Sequence, residues 1–114
     1  MTGVDRLREV SRAAFGQMHR LELMLAILAV EDGIVTLTEV HRSMSGVAMS
    51  SLQKPFEALI ECGLLTRLPN GDSRSRFYVR NDSAAWSWAV ELSEAAGVPA
   101  LLACRDAPIS QMRS

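Results

Sequence analysis

Cysteine is scarce in this chain of 114 residues, since Cys62 and Cys104 are the only two and they form no CxxC pair. This pattern argues against a disulfide framework. Long apolar runs are also lacking: the best one, residues 21–30, includes Glu22 and is far too short to span a bilayer. The chain begins with no apolar segment after a basic one, so no signal peptide is predicted. We therefore expect a soluble, cytoplasmic protein.

An excess of charge of one sign is absent too, because 12 Lys and Arg residues against 13 Asp and Glu residues give a net charge of −1. Composition alone therefore gives no indication of nucleic-acid binding. The distribution of charge is more informative. Residues 42–80 contain three acidic side chains and six basic ones, namely Arg42, Lys54, Arg67, Arg74, Arg76 and Arg80. Positive charge is thus concentrated in one stretch.

Motifs for catalysis and metal binding are missing. The sequence has no phosphate-binding glycine-rich loop, no nucleophile elbow and no zinc-hydrolase helix. The soft metal ligands are not spaced three or four residues apart; they are His19, His41, Cys62 and Cys104. We expect His41 on the exposed side of its helix and Cys62 packed beneath a hairpin. The sequence predicts no enzyme, no cofactor and no metal site.

What the chain does contain is an ordered set of elements between residues 38 and 80. Val40 and Met44 are four residues apart, which predicts a short helix over 38–44, with Thr38 as its N-cap. Residues 45–47 include Gly46 and predict a turn. A second helix should run to Cys62 and end at Gly63; its apolar stripe is Leu52, Phe56, Leu59 and Ile60.

A β-hairpin is predicted next. Residues 64–68 and 76–80 are strand-like runs, and Asn70-Gly71 between them is a strong hairpin signal. Residues 34–37 are β-branched and extended, consistent with a short first strand that pairs with the hairpin.

The ordered set resembles the winged helix-turn-helix repressors of the ArsR type and their MarR-like relatives. The similarity covers roughly residues 20–80. The matching residues are Ser50, Ser51, Leu52, Phe56, Leu59, Gly63, Leu64, Leu65, Gly71, Arg74, Arg76, Phe77 and Tyr78. The resemblance implies a mainly α fold with a small β-hairpin wing. It also implies one winged helix-turn-helix domain over residues 1–105 with N- and C-terminal dimerisation helices, followed by a flexible tail over 106–114.

Helices are also predicted over residues 4–15, 18–30 and 84–96. The second of these is apolar nearly all round and should lie at the centre of the domain. The last carries two apolar faces, with Trp88 on one and Trp86 on the other. Either the monomer buries both faces and leaves one Trp partly exposed, or one face forms a homodimer interface with the first helix. The resemblance implies the second arrangement, with Leu7, Val10, Trp86 and Val90 at the interface. Residues 100–104 could add one more apolar turn.

The resemblance predicts a sequence-specific duplex-DNA-binding transcriptional regulator, a dimeric repressor without a known effector. The second helix of the pair would enter the major groove and present Met49, Ser50, Ser51, Gln53 and Lys54. Arg74 and Arg76 on the wing would reach the minor groove or phosphates, and Arg42 the DNA backbone. Pro55 departs from the family pattern, because proline is comfortable only in the first turn of a helix. It implies a helix that begins near Ser51 or is kinked, and it leaves open a protein-protein interaction module without DNA binding.

Overall fold

Five α-helices and three short strands make up the part of the chain that the computed structural model describes, residues 3–44, 46–69 and 74–98. The elements are α1 Gly3–Phe15, α2 Arg20–Leu28, β1 Ile34–Val35, α3 Leu37–Arg42, α4 Met49–Glu61, β2 Leu65–Arg67, β3 Tyr78–Arg80 and α5 Ala84–Ala95. The fold is mainly helical with a small three-stranded antiparallel sheet. The predicted hairpin tip at 70–73, the apolar turn at 100–104 and the tail at 106–114 lie outside the described residues.

Helix α2 lies at the centre of the core, as its apolar sequence predicts. Helices α1, α3, α4 and α5 all pack against it. Its buried side chains are Leu21, Leu23, Met24, Leu25 and Ile27, each at most 2% exposed. A helix that is buried on nearly every side needs apolar residues on nearly every side. The helix is shorter than the predicted 18–30, because Met18 and His19 form a turn before it.

The sheet has the strand order β1-β3-β2, so the last strand in sequence is the central one. Ile34 pairs with Val79, and Thr66 pairs with Val79 from the other side. The predicted pairing of the first strand with the hairpin is therefore confirmed. Because β1 leads almost directly into α3, this pairing holds the hairpin against the start of α3.

The N-terminus of α3 is capped by Thr36, and the predicted cap at Thr38 is wrong. Thr36 has extended backbone angles, φ −118° and ψ 153°, and its hydroxyl accepts a hydrogen bond of 3.1 Å from the Glu39 N–H. This is the geometry of an N-cap side chain that reaches the third residue of its helix. The strand consequently ends at Val35, and the N-cap of the helix lies two residues earlier than predicted.

Helix α4 is continuous from Met49 to Glu61, with the buried Pro55 as its seventh residue. The helix therefore does not begin near Ser51. Pro55 has no N–H, so the Ser51 carbonyl lacks the usual donor four residues later. Ser51 itself is an exposed residue. The end of the helix is as predicted: Gly63 adopts φ +82°, and the Leu64 N–H donates to the Leu59 carbonyl at 2.9 Å.

A buried serine on α1 caps the N-terminus of α2. Ser11 is fully buried, its hydroxyl donates to the Gln17 carbonyl, and its oxygen accepts from the Leu21 N–H at 3.0 Å. The N-cap residue of α2, His19, makes no side-chain cap of its own. Ser11 therefore satisfies two backbone groups that the turn between α1 and α2 would otherwise bury without partners.

We expect the Ser11→Ala variant to lose about 2 kcal/mol in the free energy of unfolding, because both backbone groups would lose their partner. Urea denaturation followed by circular dichroism measures this loss. The matched control is Ser87→Ala at an exposed position of α5, which should change stability by less than about 0.5 kcal/mol. Equal losses in the two variants would show that the Ser11 bridge contributes nothing of its own.

Candidate nucleic-acid interface

An open groove of about 620 Å³ lies between α3, α4 and the β2–β3 hairpin. Three parts of the chain line it: the start and outer face of α3, one face of α4, and residues 74–78 of the hairpin. The antiparallel pairing of β1 with β3 positions the hairpin beside α3. The groove is therefore a direct product of the strand order.

Four of the predicted DNA-binding residues meet in this groove. Arg42 of α3, Gln53 of α4, and Arg74 and Arg76 of the hairpin all line it, and all four are exposed. Guanidinium and amide groups are the side chains that most often bind phosphates and base edges. The structure thus brings residues separated by more than 30 positions onto one polar surface.

The other predicted DNA-binding residues are not part of the groove lining. Ser50, Ser51 and Lys54 are exposed on α4, so they remain open to a ligand that covers the whole outer face of this helix. Met49 is half-buried at the start of α4. The exposed face of α4 is therefore polar, and the groove borders only the part of it that carries Gln53.

Two carboxylates in the groove were missed as site residues by the sequence reasoning. Glu39 of α3 and Glu57 of α4 both line it and are exposed. Glu57 is four residues after Gln53, and this helical spacing was the available signal, since it places two side chains on the same face.

An aromatic contact fixes the distance between α4 and the hairpin. The rings of Phe56 and Tyr78 meet edge to face, with centroids 5.1 Å apart and planes at 83°. This is a favourable geometry for an aromatic pair. Phe56 is only 4% exposed, so the contact forms the apolar floor of the groove while the charged groups line its rim.

Arg80 differs from the other arginines of the hairpin because it points into the domain. Its guanidinium donates to the carbonyls of Ile27 at 2.8 Å and Val30 at 2.9 Å, at the C-terminal end of α2. The last carbonyls of a helix have no partner within the helix and carry partial negative charge. Arg80 therefore caps α2, and its charge should not be counted with the exposed positive groups of residues 42–80.

The connection between α3 and α4 is held by His41. Its Nε2–H donates to the Val47 carbonyl at 2.7 Å, and the side chain is half-buried. His41 is therefore only partly exposed, whereas the sequence predicted it on the exposed side of α3. Cys62 also differs from the prediction: it is exposed, and a guanidinium nitrogen of Arg20 lies 3.5 Å from its sulfur. Cys104 lies outside the described residues.

The predicted dimer residues divide into two groups. Leu7 and Trp86 are 5% and 6% exposed, because the core of the protomer itself buries them. They present little surface to a second copy, contrary to the prediction. Val10 and Val90 are half-buried. The large exposed apolar side chain of α5 is Trp88, at 43%, which packs edge to face on Phe15 of α1 with ring centroids 5.2 Å apart.

Within the described ranges, no group of three or more His, Cys, Asp or Glu side chains could hold a metal ion. No helix in those ranges is long and apolar enough to cross a membrane. No known protein family, curated protein or solved structure matches the chain.

Proposed function

We propose that this protein is a winged helix-turn-helix regulator of transcription that binds specific duplex-DNA sequences as a homodimer and acts as a repressor in the cytoplasm. The observation that carries the proposal is the groove, where Gln53 of α4 and the arginines of the hairpin and α3 share one exposed surface. The order α3, α4, β2, β3, with β1 paired to β3, supports the same fold assignment.

In the proposed complex, α4 lies in the major groove of DNA. Gln53 can form two hydrogen bonds to adenine, while Ser50, Ser51 and Lys54 can bind bases or phosphates. Arg74 and Arg76 contact phosphates or the minor groove beside α4, and Arg42 contacts the DNA backbone. Their exposure leaves these side chains free to exchange water for phosphate oxygens.

A homodimer would present two such surfaces to a palindromic site. The apolar groups available for this interface are Val4 on α1 and Trp88 on α5, which are 44% and 43% exposed. Helices α1 and α5 pack against each other, and neither of them lines the groove.

The proposal is tested by fluorescence anisotropy with a random-sequence duplex over a series of salt concentrations. With three arginines on phosphates, the logarithm of the association constant should fall with the logarithm of salt concentration with a slope of about −3 per protomer. Sedimentation of the same samples tests the homodimer. A folded protein that binds no duplex at low salt would exclude the proposed function.

A protein-interaction module is the second candidate, and the composition of the groove favours it. Glu39 and Glu57 line the groove together with the arginines, over a floor of Phe56 and Tyr78. A mixed-charge rim over an apolar floor suits a peptide segment better than a uniformly negative surface. Under this alternative the salt series shows no duplex binding, and alanine substitutions of Arg74 and Arg76 would instead weaken the binding of a protein partner.

A further inference from the structure

We propose that Glu57 is a specificity-determining residue that selects cytosine in the major groove, about two base steps from an adenine selected by Gln53. This inference rests on the proposed function and adds the base sequence that the site prefers. It starts from a feature that DNA binding alone does not explain, namely an exposed carboxylate on the surface that would meet DNA.

Glu57 and Gln53 form one polar row on α4. They are four residues apart, both are exposed, and both line the groove. The buried row of the same helix is formed by Leu52, Phe56 and Leu59. The helix therefore cannot rotate to bury Gln53 and Glu57 without exposing this apolar row. A ligand that contacts Gln53 along this helix therefore also meets Glu57.

The charge of Glu57 limits what it can contact. The ion pairs in the described part of the chain are Arg6–Glu9, Arg8–Glu22 and His19–Glu22, and none of them includes Glu57. A free carboxylate repels phosphates and only accepts hydrogen bonds. The favourable position for it is therefore against an amino group on a base edge.

Cytosine is the base that fits best. In the major groove it offers its N4 amino group as a donor, whereas adenine places the acceptor N7 beside its amino group, and guanine and thymine offer acceptors. The N7 acceptor of adenine would repel a carboxylate but suits the amide of glutamine, which both donates and accepts. Glu57 and Gln53 should therefore select different bases.

The spacing of the two bases follows from helix geometry. Four residues of α-helix advance by about 6 Å, and successive base pairs are about 3.4 Å apart. Where α4 follows the major groove, Gln53 and Glu57 reach bases about two steps apart. The preferred half-site should therefore contain an adenine and a cytosine with this separation.

The test is selection from a randomised duplex pool with the wild type, Glu57→Gln and Glu57→Ala. The wild type should enrich the cytosine roughly tenfold over other bases. The Glu57→Ala variant should lose this preference and bind random duplex more tightly, because one repulsive charge is gone. The Glu57→Gln variant should change the preference at this position from cytosine to adenine. The control is Glu61→Gln, an exposed residue of the same helix outside the groove, which should leave every preference unchanged.

A second measurement removes the amino group from the DNA instead of the carboxylate from the protein. Replacing the selected cytosine by 2-pyrimidinone also removes one hydrogen bond to the paired guanine, so the two proteins are compared on the same modified duplex. The substitution should weaken the wild type roughly tenfold more than it weakens Glu57→Ala. Duplex binding with the same base preferences in all Glu57 variants would overturn the cytosine assignment and leave the proposed function intact. No duplex binding by the folded wild type would overturn both.

Discussion

Replacing both Arg74 and Arg76 by alanine is expected to weaken duplex binding by roughly 50-fold per protomer at about 0.1 M salt and to reduce the salt slope by about 2 per protomer. Each arginine that contacts a phosphate releases about one counterion, and at this salt concentration each release contributes close to a factor of ten. Both side chains are exposed and line the groove, so their loss should leave the core undisturbed. Anisotropy titrations over the salt series measure both effects.

The matched control removes the same charge from another face of the molecule. Arg6 and Arg12 are exposed on α1, which packs against α2 and α5. The Arg6→Ala/Arg12→Ala variant should weaken binding less than about threefold, because distant exposed charges are screened by salt. Equal weakening by the two double variants would show that affinity follows net charge, and the hairpin would then have no special role.

Arg80→Ala should reduce the free energy of unfolding by about 3 kcal/mol, since the carbonyls of Ile27 and Val30 would lose a charged donor at the end of a central helix. The hydrogen bonds of 2.8 and 2.9 Å join residues about 50 positions apart in sequence. The loss should therefore also loosen the attachment of β3 to α2. Urea denaturation measures the change in stability.

Arg67→Ala is the control for Arg80, because Arg67 is exposed on the neighbouring strand β2. It should change stability by less than about 0.5 kcal/mol. If Arg80→Ala cost no more than Arg67→Ala, the capping of α2 by Arg80 would be energetically unimportant. The expected results assign different roles to arginines of one hairpin: Arg74 and Arg76 bind a ligand, and Arg80 stabilises the fold.

Local signals in the sequence predicted most of the elements. Apolar residues at helical spacing placed the helices, and Gly63 ended α4 as expected because it can adopt a positive φ. The choice between Thr36 and Thr38 as the cap of α3 could not be made locally. It depends on where β1 leaves β3, and that pairing involves residues more than 40 positions away.

The candidate site was predictable only in part, for the same reason. Residue type and position suggested that Arg42, Gln53, Arg74 and Arg76 act together, and the groove brings them together. Nothing local distinguished Arg80 from these residues, because its inward direction is set by two carbonyls at the end of α2. The burial of Leu7 and Trp86 likewise depends on how α1 and α5 pack on the protomer, which periodicity does not reveal.

The central position of β3 has a consequence for the order in which parts of the protein can fold during synthesis. Strands β1 and β2 each pair with β3 and not with each other, and β3 ends at Arg80. A growing chain can form its first helices early, but it cannot assemble the sheet until β3 has been synthesised. The groove therefore does not exist on the nascent chain until most of the domain is complete, and an unfinished chain has no preformed groove with which to compete for the ligand of the finished protein.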